Sequence, residues 1–328
     1  MTKTIAVAPM MAWTDRHCRH LHRLYAPNLL LFTEMITTGA LLHGKQLHLL
    51  DYDAAQHPLA IQLGGNNPED LAACAKLAER AGYDEININV GCPSDRVQRG
   101  TFGACLMLQP DLVARCVEHM QNATSVPITV KCRIGVETRG DEGRHATYEF
   151  LHEFIRHIVG AGCKRVYLHA RTAILAGLSP AQNRSVPPLR FEFGRQIKRD
   201  FPQLELIMNG GIDSLDEASS TMTWADGVMI GRAAYHQPRL LSELNGLLSS
   251  TPIDDEAKLL NRYRTYAETR LAAGDRLHDL VRHLLHSFAG QPGARRFRQT
   301  LSDHPRLRSE GIDLLDDALT CIEQRSAA

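Results

Sequence analysis

Eight times in its first 230 residues the chain repeats one pattern: an apolar run of strand length that stops on glycine, proline or a polar side chain. The runs are 5–9, 30–35, 59–63, 85–89, 128–133, 165–169, 205–209 and 227–230, and helix-length segments separate most of them. Alternating strand and helix implies βα units and a parallel sheet. Eight such units within about 240 residues predict an α/β fold, a closed (β/α)8 TIM barrel. The run endings constrain the chain further. They read Pro9-Met10, Thr33-Glu34-Met35, Gln62-Leu63-Gly64-Gly65, Asn89-Val90-Gly91-Cys92, Lys131-Cys132-Arg133, His169-Ala170-Arg171, Asn209-Gly210-Gly211 and Gly231-Arg232. Buried strands have no structural need for Gln, Lys, His and Asn at matching ends. A ligand-binding face does.

The fourth run is the most informative. Ile86, Ile88 and Val90 alternate with Asn87 and Asn89, and Gly91-Cys92-Pro93 stops the strand. A carboxamide and a thiol therefore share one strand end with a tight turn. A thiol with a pKa near 8.5 is mostly protonated at neutral pH and can serve as an acid. Cys92 is the candidate proton donor, against the reading of a small buried hydrophobe. Cys105, in a Gly-rich segment further from the strand end, is its rival. Cys18, Cys74, Cys116, Cys163 and Cys321 read as structural.

Strand signals stop after about Gly246, and 256–271, 275–288, 294–302 and 313–324 read as amphipathic helices. A boundary near Ser249-Ser250-Thr251-Pro252 divides a catalytic barrel, 1–248, from an all-α C-terminal domain, 249–328. Lys+Arg and Asp+Glu balance at 37 each over the whole chain, but the balance is uneven. Between Arg262 and Arg308 stand ten Arg and no Lys against four acids, Glu268, Asp275, Asp279 and Asp303. The helical domain is read as basic. Segments 136–146 and 173–188 are polar and read as surface loops. The eight dispersed cysteines have neither disulfide-framework nor zinc-knuckle spacing, so no metal is expected. Free thiols, no membrane-length apolar run and no secretory h-region in the first residues point to the cytoplasm.

Glycines after the seventh and eighth strands suit a phosphate, because backbone N–H groups stay accessible there, and Arg232 adds a charge. Gln62, Lys131 and His169 close strands three, five and six. An amide, a cation and an imidazole beneath a phosphate site suit a flavin, with Lys and His stabilising charge on the reduced ring and Gln bonding the pyrimidine edge.

In combination these motifs resemble the tRNA-dihydrouridine synthases. Ala8-Pro9-Met10-Met11, Gln62-Leu63-Gly64-Gly65, Asn89-Val90-Gly91-Cys92-Pro93-Ser94, His169-Ala170-Arg171, Asn209-Gly210-Gly211 and Gly231-Arg232 carry the likeness. The segments 13–19 and 102–107, with Asn183-Arg184 and Pro292-Gly293-Ala294-Arg295, are similar to the A subfamily. The resemblance implies FMN, NADPH as reductant, and reduction of uridine to 5,6-dihydrouridine at positions 20 and 20a of the tRNA D-loop. It implies FMN contacts at Pro9, Met10, Met11, Gln62, Lys131, His169, Asn209, Gly210, Gly211, Gly231 and Arg232, and Cys92 as catalytic acid. It implies tRNA contacts at Asn89, Asn183, Arg184, Arg295 and Arg298, and no obligate protein partner is evident. Ala12 departs from the usual Asp, Cys132 from the usual Thr, and segment 137–145 is longer than usual.

Three other readings compete. A flavin barrel acting on a small molecule, such as a dihydroorotate-type dehydrogenase, leaves the basic helices without a purpose. A non-redox phosphate-sugar lyase or isomerase would be colourless. A non-catalytic tRNA-binding protein leaves Cys92 and Lys131 as coincidence.

Overall fold

The computed structural model describes residues 3–94, 97–98, 100–141, 143–250 and 254–326. Eight parallel strands form the centre: β1 Thr4–Val7, β2 Leu31–Thr37, β3 Leu59–Gly64, β4 Glu85–Val90, β5 Ile128–Arg133, β6 Arg165–His169, β7 Glu205–Asn209 and β8 Gly227–Ile230. They pair in the order β1-β8-β7-β6-β5-β4-β3-β2. A parallel bridge from Ala6 to Leu30 closes the ring, with Val7 N–H donating to Leu30 O and Leu30 N–H to Ile5 O, both at 2.9 Å. The expected TIM barrel is the observed fold. The last four strands match their expected limits. The first stops earlier than expected because Pro9 has no N–H to continue the ladder.

The period-2 alternation of each strand divides two cores. Ala6, Ala8, Leu30, Phe32, Ala60, Tyr167, Ile207 and Met229 fill the barrel interior. Their neighbours, such as Ile86, Ile88, Val166, Leu168, Leu206 and Met208, pack outward against the helices. By the same alternation Asn87 and Asn89 share one face of β4, and Thr129 and Lys131 one face of β5. Register sets Asn89 opposite Lys131, Arg133 opposite His169 and His169 opposite Asn209. The polar strand ends are thereby brought to one rim.

The helices begin where their caps are. Asn67 Oδ1 accepts from Asp70 N–H at 2.8 Å, with Pro68 at the first position of Pro68–Ala81. Ser214 Oγ accepts from Glu217 N–H at 3.2 Å, and Glu217 accepts from Asp213 N–H at 2.7 Å, opening Leu215–Met222.

Beyond the barrel lie α-helices Glu256–Ala272, Leu277–Val281, Ala294–Leu301, His304–Ser309 and Asp313–Ser326. The first two of them dock on the first barrel helix, Arg16–Tyr25, and the others pack behind these. Tyr25 Oη donates to Glu256 at 2.7 Å, His17 meets Tyr266 Oη at 2.9 Å, and Asp15 takes both Arg282 and His283. Of the expected boundary, Ser249 and Ser250 follow the last barrel helix, whereas Thr251 and Pro252 lie outside the described residues.

Two expectations need correction. The helix expected over 275–288 is broken into Leu277–Val281 and a 3-10 turn, Arg282–His286. Tyr263 Oη donates to Leu280 O at 2.8 Å, occupying a carbonyl that a continued α-helix would offer to residue 284. Segments 136–146 and 173–188 are not simply surface loops. Val136–Glu137 and Ala173–Ile174 pair as a small parallel sheet beside the rim, with Val136 and Ala173 fully buried.

Candidate active site

A cavity of about 1050 Å³ opens at the C-terminal ends of the strands. It gathers Pro9, Met10, Met11, Gln62, Asn89, Cys92, Lys131, His169, Arg184, Asn209, Gly210, Gly211, Gly231 and Arg232 on its lining. All eleven positions expected at the cofactor and the candidate acid therefore face one space. Asn183, Arg295 and Arg298 do not line it.

Cys92 sits on the turn after β4. Asn89 Oδ1 accepts from Gly91 N–H at 3.1 Å and from Cys92 N–H at 3.0 Å. The Cys92 thiol is partly exposed and lies 3.5 Å from Ser94 Oγ. Cys105 does not line the cavity; its thiol donates to Phe102 O at 3.0 Å, and burial pushes its pKa up. Of the two rivals, only Cys92 faces the space where a substrate would sit.

Lys131 is a half-buried cation on the cavity wall, without a carboxylate partner among the described residues. Its ammonium donates to Asn209 Oδ1 at 3.0 Å, and Asn209 Nδ2 donates in turn to Met229 O at 2.7 Å. Burial, and then the Arg133 guanidinium, bring its pKa down to about 8. His169 is driven well below the usual imidazole value, first by burial and then by Arg133 and Lys131, so it is neutral at pH 7. Its Nδ1 accepts from Arg171 N–H at 3.3 Å, which leaves the proton on Nε2. A cation and an N–H donor thus stand side by side, suited to a ring that gathers negative charge.

The far end of the cavity is strongly positive. Arg184 and Arg232 line it, Arg171 stands behind them, and none of the three forms an ion pair among the described residues; Arg232 donates to Arg184 O at 3.1 Å. Burial lowers the pKa of Arg184 and Arg171, and Arg232 lowers both further. Gly210 and Gly211 have φ of 105° and 67°, a left-handed turn that glycine allows. A Cβ at Gly210 would meet the His169 ring at 3.1 Å. Clustered guanidiniums beside a glycine turn fit a phosphate, so this end of the cavity suits the phosphate of FMN.

Several residues do what sequence reasoning did not expect. Asn183 is fully buried, and its carboxamide is consumed inside its own loop. It accepts from Ile174 N–H at 2.7 Å and donates to Ile174 O at 2.9 Å. Asn183 thus shapes its own loop here, and its carboxamide is not free for the expected tRNA contact in this structure. Asn89, also expected at tRNA, holds the Cys92 turn and lines the cavity. Arg133 went unnoticed as a site residue. It lines the cavity, donates to Gly91 O at 3.2 Å and to Asn183 O at 2.9 Å, and so ties the Cys92 turn to that loop. The period-2 face shared with Lys131 was the available signal. Ala12, one of the sequence departures, adopts φ 62° in the Pro9–Trp13 turn, and its N–H donates to Glu34 at 2.5 Å. Cys132, the other, is fully buried facing outward.

The basic charge of the helical region is narrower than the arginine count suggests. Arg262, Arg264, Arg270, Arg276, Arg282 and Arg306 are all ion-paired, several with acids outside the counted window, such as Asp15, Asp316 and Asp317. Arg295, Arg296 and Arg298 are exposed and have no acidic partner among the described residues. Arg308, on His304–Ser309, is likewise exposed and forms no ion pair among the described residues, so three of the four free guanidiniums of this window stand on Ala294–Leu301. Arg298 lies near His286, which meets His236 at 3.1 Å on the short helix opened by Arg232. This face therefore adjoins the cavity rim.

Lys131 gives a pH test. An unfolded lysine keeps its proton to about pH 10.4. Between pH 8 and that value the unfolded chain binds more protons than the folded one, so stability contributed at this site rises with pH. In the flavin-free chain, wild type should gain stability relative to Lys131→Met as pH is raised from 7 to 10, read from denaturation midpoints. Parallel curves for the two proteins would remove this account of Lys131.

The class follows from fold and site together: an enzyme with a TIM-barrel rim built around a cysteine, a half-buried lysine and a cationic end. The dihydrouridine synthase (Dus) family model matches residues 6–323, and the chain belongs to that family of oxidoreductases. It is 49% identical to the tRNA-dihydrouridine(20/20a) synthase of Pseudomonas putida, over 99% of this chain and 95% of that protein. The proteins of the same name from Vibrio parahaemolyticus and Pseudomonas aeruginosa are each 48% identical, over 97% and 99% of this chain and 96% and 97% of theirs. A solved complex of 2-naphthoyl-CoA reductase with 2-naphthoyl-CoA shares the fold, with a TM-score of 0.56 at 11% identity. That match covers 73% of this chain and 49% of the other.

Proposed function

We propose that this enzyme reduces uridine to 5,6-dihydrouridine at positions 20 and 20a of the tRNA D-loop, with FMN as bound cofactor and NADPH as reductant. The observation that carries the reading is the cavity itself, where Cys92 and the neighbouring Lys131 and His169 share one rim with an unpaired cationic end. Pro9, Met10, Met11, Gln62, Lys131, His169 and Asn209 would hold the flavin ring and its side chain, and Gly210, Gly211, Gly231 and Arg232 its phosphate. FMN held there would, once reduced, be the source of a hydride for C6 of the uracil ring. The C5=C6 bond is conjugated with the C4 carbonyl, so hydride addition leaves a base enolate that needs a proton at C5. Cys92 gives that proton. Lys131 and Nε2–H of His169 offset negative charge, and Arg133 holds the turn that carries Cys92. A base in folded tRNA reaches such a cavity only by leaving its stack.

Arg184 at the rim and Arg295 and Arg298 on the helical face hold phosphates. The barrel, 1–248, then carries the chemistry, and the helices, 249–328, the tRNA. No helix among the described residues is long and apolar enough to cross a membrane. With tRNA as substrate, we place the enzyme in the cytoplasm.

The purified chain should be yellow, release FMN on denaturation, and oxidise NADPH in step with dihydrouridine formed on added tRNA. A colourless chain that takes up no FMN would remove the flavin reading. Flavin turnover on dihydroorotate but not on tRNA would favour the small-molecule alternative.

A further inference from the structure

A buried chain of side-chain hydrogen bonds runs from the Cys92 turn down through the barrel, and every donor in it points the same way. Asn89 Nδ2 donates to Gln62 Oε1 at 2.7 Å, and Gln62 Nε2 donates to Asn87 Oδ1 at 2.8 Å. Asn87 Nδ2 donates to Thr129 Oγ1 at 2.9 Å, and Thr129 donates to Glu85 Oε1 at 2.7 Å. Glu85 Oε2 accepts from Arg165 at 2.5 Å and from Tyr167 Oη at 3.1 Å. Both ends dictate one polarity. At the top, Asn89 Oδ1 faces the backbone N–H groups of Gly91 and Cys92, which can only donate. At the bottom, the Glu85 carboxylate held by Arg165 can only accept.

We propose that Glu85 is a positioning residue that sets the direction of this chain and so holds the Gln62 and Asn89 carboxamides, and through them the Cys92 turn, in one orientation. Glu85 touches no cavity-lining atom itself. Its effect passes through amides whose two ends differ only in being donor or acceptor. Changing Glu85 to an amide creates a conflict. Arg165 and Tyr167 demand the oxygen of the new carboxamide, which turns its NH2 toward Thr129. Thr129 then loses its acceptor at this end; when it donates to Asn87 instead, Asn87 has to donate to Gln62 and Gln62 to Asn89. That last reversal would set Asn89 Nδ2 against the N–H groups of Gly91 and Cys92, donor against donor.

The orientation claim depends on the chain's own atoms. Only its consequence, a fall in kcat with Cys92 displaced, rests on the proposed function. Amide hydrogen exchange of Gly91 and Cys92, read residue by residue on the full chain as purified, separates the two. Glu85→Gln should speed exchange at both amides by on the order of tenfold, as two backbone hydrogen bonds are lost. Thr129→Val, which cuts the chain without reversing it, should give a smaller increase. The double variant should return to the Thr129→Val level, because the reversed polarity no longer passes upward. Glu205→Gln, which breaks the other ion pair of Arg165, should leave both amides at the wild-type rate. Unchanged exchange in Glu85→Gln, or a double variant less protected than either single one, overturns the proposal. If Glu85→Gln does not fold, Thr129→Val decides alone, and wild-type exchange there overturns it.

Discussion

Cys92→Ala should lower dihydrouridine formation on tRNA by about 10²–10⁴-fold, the range that a positioned general acid contributes. A thiol and a methyl are close in size, so the stability loss should be modest. Cofactor content, flavin reduction by NADPH and tRNA affinity should persist, because Cys92 is held through its backbone N–H by Asn89 and the substitution leaves that bond intact. Water can deliver the proton slowly, so residual turnover is expected. Cys105→Ala is the matched control. Cys105 does not line the cavity and its thiol donates to Phe102 O, so most activity should remain. If Cys105→Ala abolishes the reductive step while Cys92→Ala behaves like wild type, the acid is misassigned.

The second large effect concerns Ala294–Leu301. Arg295 and Arg298 are three apart, share an exposed face, and have no acid to neutralise them among the described residues. Replacing both with Ala should reduce the slope of log affinity for tRNA against log salt by about two units, one per lost phosphate contact. If each makes one charge-assisted contact, affinity falls by on the order of 100-fold. Flavin reduction by NADPH should survive. A double alanine variant at Arg264 and Arg306 is the informative comparison. Those guanidiniums are already paired with Asp316, Glu310 and Asp317, so their loss should lower stability more than the salt slope. Unchanged affinity and slope in the Arg295/Arg298 variant would move the tRNA site off this helix.

The barrel was legible because its signals are local and periodic. Asn89, Lys131, His169 and Asn209 each stand at a strand end on the inward phase of a period-2 pattern, and parallel register then aligns them whatever the loops do. Loops carry no such period. Asn183 stands beside Arg184 in the chain, yet one faces the cavity and the other turns its amide onto Ile174. Nothing in the adjacency of two polar residues tells them apart. Charge was legible as a sum but not as a surface. The arginine excess between Arg262 and Arg308 is real, and its neutralisation by Asp15 and Asp316 depends on how the helices dock. The break after Val281 is of the same kind, since it turns on Tyr263, which sits on a different helix. The polar chain from Asn89 to Glu85 combines both cases: its residues lie at readable inward positions, while its direction emerges only from the hydrogen bonds at its two ends.

The most direct measurement of the central claim is the mass of tRNA from cells with and without this enzyme, mapped nucleotide by nucleotide. Each dihydrouridine adds two hydrogens to a uridine. Deletion should remove this gain at positions 20 and 20a and leave other sites unchanged. Wild-type protein should restore the gain, and the Cys92→Ala protein largely should not. Intact dihydrouridine at both positions in the deletion strain, with no other enzyme able to act there, would contradict the proposed function.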